Sequence, residues 1–209
     1  MTIKVGIISG FLGSGKTTAI LEIGKILGDR FGLKSAILVN DIGEINVDGA
    51  YLEGLGMDAK QVTGSCLCCS LGTSILDTIN TLREKFGPDV LLIEPTGVAI
   101  PSQVKQRFYD GFFGEGFEIA PLIVLIDGFD FLEYLETVGE LIERQAQDVE
   151  IIAINKMDLI EDKEKLGKIK EMIKKINPNA EILEISAKNR EGIDELVEII
   201  MGNGRSKNA

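Results

Sequence analysis

The sequence predicts a single α/β domain with a mostly parallel central sheet and helices on both faces. Three observations lead there. Short apolar, β-branched runs alternate with helix-spaced apolar positions from end to end, the pattern of a parallel sheet covered on both sides. The length, 209 residues, suits one domain with a sizeable core. The first strand-like run also passes through a glycine-rich turn directly into a helical pattern.

That first passage carries the strongest chemistry. Ile3, Val5, Ile7 and Ile8 read as a buried strand, and Ile20, Ile23 and Leu27 recur at helical spacing. Between them, Gly10-Phe11-Leu12-Gly13-Ser14-Gly15-Lys16-Thr17 fits G-x-x-x-x-G-K-[ST] in the strand–loop–helix context where the pattern means a phosphate-binding P-loop. Glycines let the loop curl so that successive N–H groups face an anion, and the helix N-terminus adds unsatisfied donors and partial positive charge. Gly10, Gly13, Ser14, Gly15, Lys16, Thr17 and Thr18 are the expected phosphate-side residues. Lys16 is placed to reach the β- and γ-phosphates and Thr17 to coordinate Mg2+. The domain expected over 1–201 is therefore a P-loop NTPase, with 202–209 as a frayed tail.

The remaining elements follow in order. Residues 35–39 read as a strand, 40–49 as a polar loop, and 60–62 as a short strand. Ile75, Ile79, Leu82 and Phe86 mark an amphipathic helix stopped by Gly87-Pro88, and 90–93 form a buried strand. Over 100–116 the pattern predicts a short helix and then a mobile loop. Residues 122–126 form a strand ending at Asp127, and 129–147 carry helical patches broken near Gly139. A strand over 151–154, a charged helix over 163–176, a strand over 182–185 and a helix through Ile193, Leu196, Val197 and Ile200 complete the pattern.

Composition excludes several classes. Thirty-three acidic against 22 basic residues leave a net charge of −11, unsuited to a nucleic-acid backbone. No apolar run reaches the length of a membrane span, and the first residues do not read as a signal peptide. The three cysteines all fall within 66–69, which argues against a disulfide framework and for a reducing, cytoplasmic setting. With no histidine in the chain, a metal site must use thiolate, carboxylate, backbone or solvent ligands.

Three further constellations narrow the chemistry. Asn155-Lys156-Met157-Asp158 follows a strand in the half of the chain where a base would lie beyond the sheet's carboxyl edge. An aspartate there accepts from guanine N1–H and the exocyclic amine, whereas adenine presents a lone pair at the first position. Ser186-Ala187-Lys188 after the next strand resembles the loop by which GTPases cover guanine O6. Glu94 closes a buried strand three residues before Gly97, where a P-loop NTPase places its second Mg2+-side carboxylate and a γ-phosphate-sensing glycine. Glu94 either holds the metal, directly or through water, or positions the attacking water. Cys66, Cys68 and Cys69, at i, i+2 and i+3, can converge on one borderline cation such as Zn2+, at about 2.3 Å. Asp41 and Glu44 are candidate fourth ligands; the competing readings are small buried hydrophobes or a redox role.

Assembled, these residues resemble the CobW/HypB/UreG family of P-loop GTPases, which serve as metallochaperones and metalloenzyme-maturation factors. The resemblance is strongest to the CobW-like branch without its C-terminal domain. It rests on the loop above, Asn40-Asp41-Ile42-Gly43-Glu44, the Cys-x-Cys-Cys segment and Glu94-Pro95-Thr96-Gly97-Val98-Ala99-Ile100-Pro101. Asp41 stands where that branch has glutamate, and Ser65 where it has glycine. The resemblance implies GTP or GDP with Mg2+ held by Thr17, Asp41 and Glu94, and catalysis by Lys16 and Glu94. It also implies a Zn2+ (or Co2+ or Ni2+) cargo on the cysteines, a client metalloenzyme, and a GTP-dependent homodimer that captures or releases metal. Without an evident arginine finger, turnover of about 10⁻⁴ to 10⁻² s⁻¹ is expected. The rivals are a P-loop kinase or phosphotransferase, and a non-catalytic nucleotide switch or metal sensor.

Overall fold

The computed structural model describes residues 2–39, 58–61, 73–112 and 116–203. Among the described residues, eight strands form one parallel sheet: β1 (Ile3–Ser9), β2 (Ser35–Val39), β3 (Asp58–Gln61), β4 (Val90–Glu94), β5 (Phe117–Ile119), β6 (Ile123–Asp127), β7 (Ile151–Asn155) and β8 (Glu181–Glu184). Their order is β3-β2-β4-β1-β6-β7-β8, with β5 also pairing with β1. The helices are α1 (Lys16–Phe31), α2 (Thr73–Phe86), α3 (Pro101–Phe112), α4 (Phe131–Ala146), α5 (Lys163–Ile176) and α6 (Ile193–Met201).

Alternation along each buried strand builds two cores. Ile3, Val5 and Ile7 face one way with Leu91, Ile93, Val124, Ile126, Ile152 and Ile154, and α2 to α5 cover this side. Ile8, Ile37, Leu92, Leu125 and Ala153 face the other way, under α1 and α6. Strands buried on both faces read as continuous apolar runs, which is why they were legible without a tertiary context. Because the sheet is parallel, the carboxyl ends of β1, β4, β6 and β7 share one edge. There the connection from β1 turns to one face, into α1, while those from its neighbours β4 and β6 turn to the other, into α3 and α4.

The helical patches expected over 129–147 with a break near Gly139 are borne out: Val138, beside Gly139, leaves helical geometry (φ −133°, ψ 28°) and kinks α4, while Phe131 on one side and Ile142 and Ala146 on the other are buried on the same core. The differences from the sequence expectation concern short or terminal segments. β5, three residues long, is too short for any periodicity to announce. It is held by Ile3 N donating to Gly116 O at 2.8 Å, Ala120 N donating to Val5 O at 2.9 Å, and edge-to-face packing of Phe117 on Phe108. The strand expected at 60–62 begins at Asp58, and the last strand ends at Glu184. The loop expected near 113–115 and the tail from 204 lie outside the described residues.

Candidate nucleotide site

The loop after β1 is shaped by two glycines. Gly10 (φ 143°) and Gly15 (φ 90°) both occupy backbone conformations that side chains avoid, and neither has room for one. A Cβ on Gly10 would sit 2.2 Å from Leu125 O; on Gly15 it would sit 2.3 Å from Asn155 Nδ2. Gly15 caps α1 without a side-chain acceptor, and no acidic residue lies in the first turn. The helix therefore presents its first N–H groups and positive dipole end to the loop. Buried within it, Ser14 Oγ has no hydrogen-bond partner among the described residues. Lys16, 7 % exposed, donates to Phe11 O at 3.2 Å. This cradle of curled backbone, helix terminus and buried ammonium fits a polyphosphate.

Beside it, Thr17 Oγ1 donates to Glu94 Oε1 at 2.9 Å. Glu94 is the last residue of β4 and is buried. A hydroxyl and a carboxylate meeting at the rim of a phosphate cradle are the hard oxygen donors that Mg2+ takes. Gly97 follows in a turn closed by Ala99 N donating to Thr96 O at 3.0 Å. It packs directly on the loop, since a Cβ there would meet Leu12 N at 3.0 Å and the Leu12 side chain at 2.7 Å.

On the other flank, Asn155 closes β7 and is buried. Its Nδ2 donates to Ser14 O at 2.8 Å, and its Oδ1 accepts from Ala187 N at 2.9 Å. One amide thus ties the phosphate loop to the 186–188 loop. Lys156 turns the chain through φ 65° and pairs with Asp127 Oδ2 at 2.5 Å. Ser186 Oγ donates to Asp158 Oδ1 at 2.6 Å, which orients an otherwise exposed carboxylate. The structure thus gathers Gly10, Gly13, Ser14, Gly15, Lys16, Thr17, Glu94, Gly97, Asn155, Lys156, Asp158, Ser186 and Ala187 along one sheet edge; Thr18 and Lys188 are exposed there. Asp41, Glu44, Cys66, Cys68 and Cys69 lie outside the described residues. Among the described residues no cluster of three acidic or thiol ligands occurs, and no helix is long and apolar enough to cross a membrane.

Two contributors escape the sequence reading. Asp127 ends β6, pairs with Lys156, and accepts from Phe129 N at 3.0 Å and Asp130 N at 3.3 Å. Its signal was positional: like Glu94 and Asn155, it is the polar residue that closes a buried strand. Gln145 of α4 is the other, with its Nε2 donating to Gly97 O at 3.0 Å and Ala99 O at 2.9 Å. Its only signal is a place three residues after Ile142, on the helix's buried stripe.

Residues 4–184 match the family described as CobW/HypB/UreG, nucleotide-binding domain. The chain belongs to that family. Within the CobW/HypB/UreG group, it is 34 % identical over 155 residues to the zinc chaperone YeiR of Escherichia coli strain K12, across 74 % of this chain and 47 % of that protein. It is 26 % identical to Zn(II)-bound YjiA GTPase from E. coli, covering 87 % of this chain and 57 % of that one at a TM-score of 0.64. HypB from Helicobacter pylori in complex with nickel, at 23 % identity, shares the fold over 100 % of this chain and 92 % of that one, with a TM-score of 0.67. The chain spans about half the length of the curated relatives it matches. CobW/HypB/UreG membership makes this a nucleotide-binding domain, and the zinc and nickel in those names belong to those proteins.

Proposed function

We propose that this chain is a guanine-nucleotide-dependent metallochaperone: it binds GTP with Mg2+, hydrolyses it slowly, and couples that cycle to handling a transition metal, Zn2+ foremost, for a client metalloprotein. The observation that carries the nucleotide half is the Asn155 amide, which joins Ser14 and Ala187 and so makes phosphate cradle and base loop one unit. In this reading the loop N–H groups and Lys16 hold the phosphates and stabilise charge on the transferring group. Thr17 and Glu94 are the residues that would hold Mg2+, which neutralises charge on the β- and γ-oxygens. Asp158, oriented by Ser186, selects guanine because it is acceptor-only and faces two donors of that base. Lys156, fixed on Asp127, walls the base side.

The metal half is supported by the Cys66, Cys68 and Cys69 spacing, by family membership, and by the zinc named in relatives such as YeiR. A GTP-dependent homodimer and a metalloprotein client complete the proposal. Competition of Zn2+, Co2+ and Ni2+ against a chromogenic chelator, with the protein loaded with a GTP analogue or with GDP, tests it. A tenfold difference in metal affinity between nucleotide states, about 1.4 kcal/mol, is the expected result. Equal, tight binding in both states would mean a structural site, and no binding in either would leave a nucleotide switch without cargo.

A further inference from the structure

Gln145 is buried to 2 % exposure in a helix whose remaining buried residues are Phe131, Ile142 and Ala146, and a polar side chain there needs a reason. Both hydrogens of its Nε2 are spent on one turn, at Gly97 O and Ala99 O. That turn is closed on itself by Ala99 N to Thr96 O and packed against Leu12 of the phosphate loop. The same helix reaches the loop a second time, where Tyr134 meets Phe11 edge-to-face at 5.2 Å. Phosphate loop, 96–99 turn and α4 therefore form a closed triangle around a crevice lined by Phe11, Leu125, Asp127, Tyr134 and Gln145. Neither the loop nor the turn can shift without straining a contact to α4.

The geometry points to Gln145 as the positioning residue that sets the 96–99 turn for the γ-phosphate, and so to α4 as the element that moves or stiffens with the nucleotide state. This rests on the guanine-nucleotide reading above. Gln145 acts through Gly97; it touches no reacting atom. A clamp on both carbonyls of the turn, with Leu12 on its other side, restricts the rigid-body freedom of Gly97. Loss of the clamp lets the turn settle where it is indifferent to a third phosphate. GDP is held by the cradle and the base loop, whereas the Gln145 amide donates to the 96–99 turn, so GDP binding is independent of the clamp.

The test compares affinity for a non-hydrolysable GTP analogue with affinity for GDP, both with Mg2+, in the wild-type chain, Gln145→Leu and Gln145→Met. These substitutions keep the bulk and remove both donors. Affinity for the analogue, and single-turnover hydrolysis of GTP, should fall about tenfold from the loss of two hydrogen bonds, while GDP affinity changes less than about twofold. Equal losses for both nucleotides, or no loss for either, would overturn the assignment while leaving the nucleotide reading intact. A wild-type chain that binds neither nucleotide would overturn both. If either variant melts early, amide exchange of the wild-type chain decides instead. Amides of 97–99 and 142–146 should slow together when the analogue replaces GDP, and slowing of the turn alone would refute the coupling.

Discussion

Replacing Asn155 by alanine removes the amide that holds the phosphate loop to the 186–188 loop, and the structure allows the cost to be worked out. Two hydrogen bonds go, at 2.8 and 2.9 Å, and they leave Ser14 O and Ala187 N without that partner in buried surroundings. At about 1–3 kcal/mol per stranded buried group, reduced by whatever water enters the gap, the loss should be about 2–4 kcal/mol. Urea unfolding of the nucleotide-free chain measures it, as a lower midpoint at unchanged slope. A double-mutant cycle with Gly15→Ala sharpens the argument. In the wild-type background that Cβ meets Asn155 Nδ2 at 2.3 Å and also suffers φ 90°. In the Asn155→Ala background the collision vanishes and only the backbone strain, about 1–2 kcal/mol, remains. The two substitutions should therefore cost less together than the sum of their separate effects, by about 1 kcal/mol or more. Strict additivity, or an Asn155→Ala cost under about 0.5 kcal/mol, would refute the brace.

Three other outcomes follow from the same site. Thr17→Ala removes the hydroxyl that meets Glu94 and should weaken GTP binding by tenfold or more with Mg2+ present, while binding in EDTA changes little; calorimetry in the two buffers decides. Asp158→Asn exchanges an acceptor pair for a donor and an acceptor. It should lower GTP affinity by about 10²-fold or more and improve binding of xanthosine triphosphate, whose C2 carbonyl accepts where guanine donates, as competition against a fluorescent nucleotide would show. Asp127→Ala leaves Lys156 without its carboxylate and strips an acceptor from Phe129 N and Asp130 N. Since Lys156 is a third exposed, the expected loss is about 2 kcal/mol in chemical denaturation, below the range for fully buried pairs.

What the sequence by itself determined is what local chemistry encodes. A fully buried strand must be apolar throughout, so β1, β2, β4, β6 and β7 were readable to within a residue or two. A loop that wraps phosphate must place glycine where side chains cannot go, so Gly10, Gly15 and the lysine after them declared themselves. Asn155, Asp158 and Ser186 stood out because they are polar residues following the buried strands β7 and β8, where the proposed base site draws on them. Tertiary structure alone decided the rest. Asn155 braces Ser14 across 141 positions, Thr17 meets Glu94 across 77, and Gln145 reaches Gly97 across 48; no local pattern carries such pairings. Gln145 and Asp127 are ordinary residues in sequence, one polar position in a helix and one acid after a strand. Their roles arise because a parallel sheet brings the carboxyl ends of β1, β4, β6 and β7 to one edge, where distant backbone groups must find partners or lose them to burial.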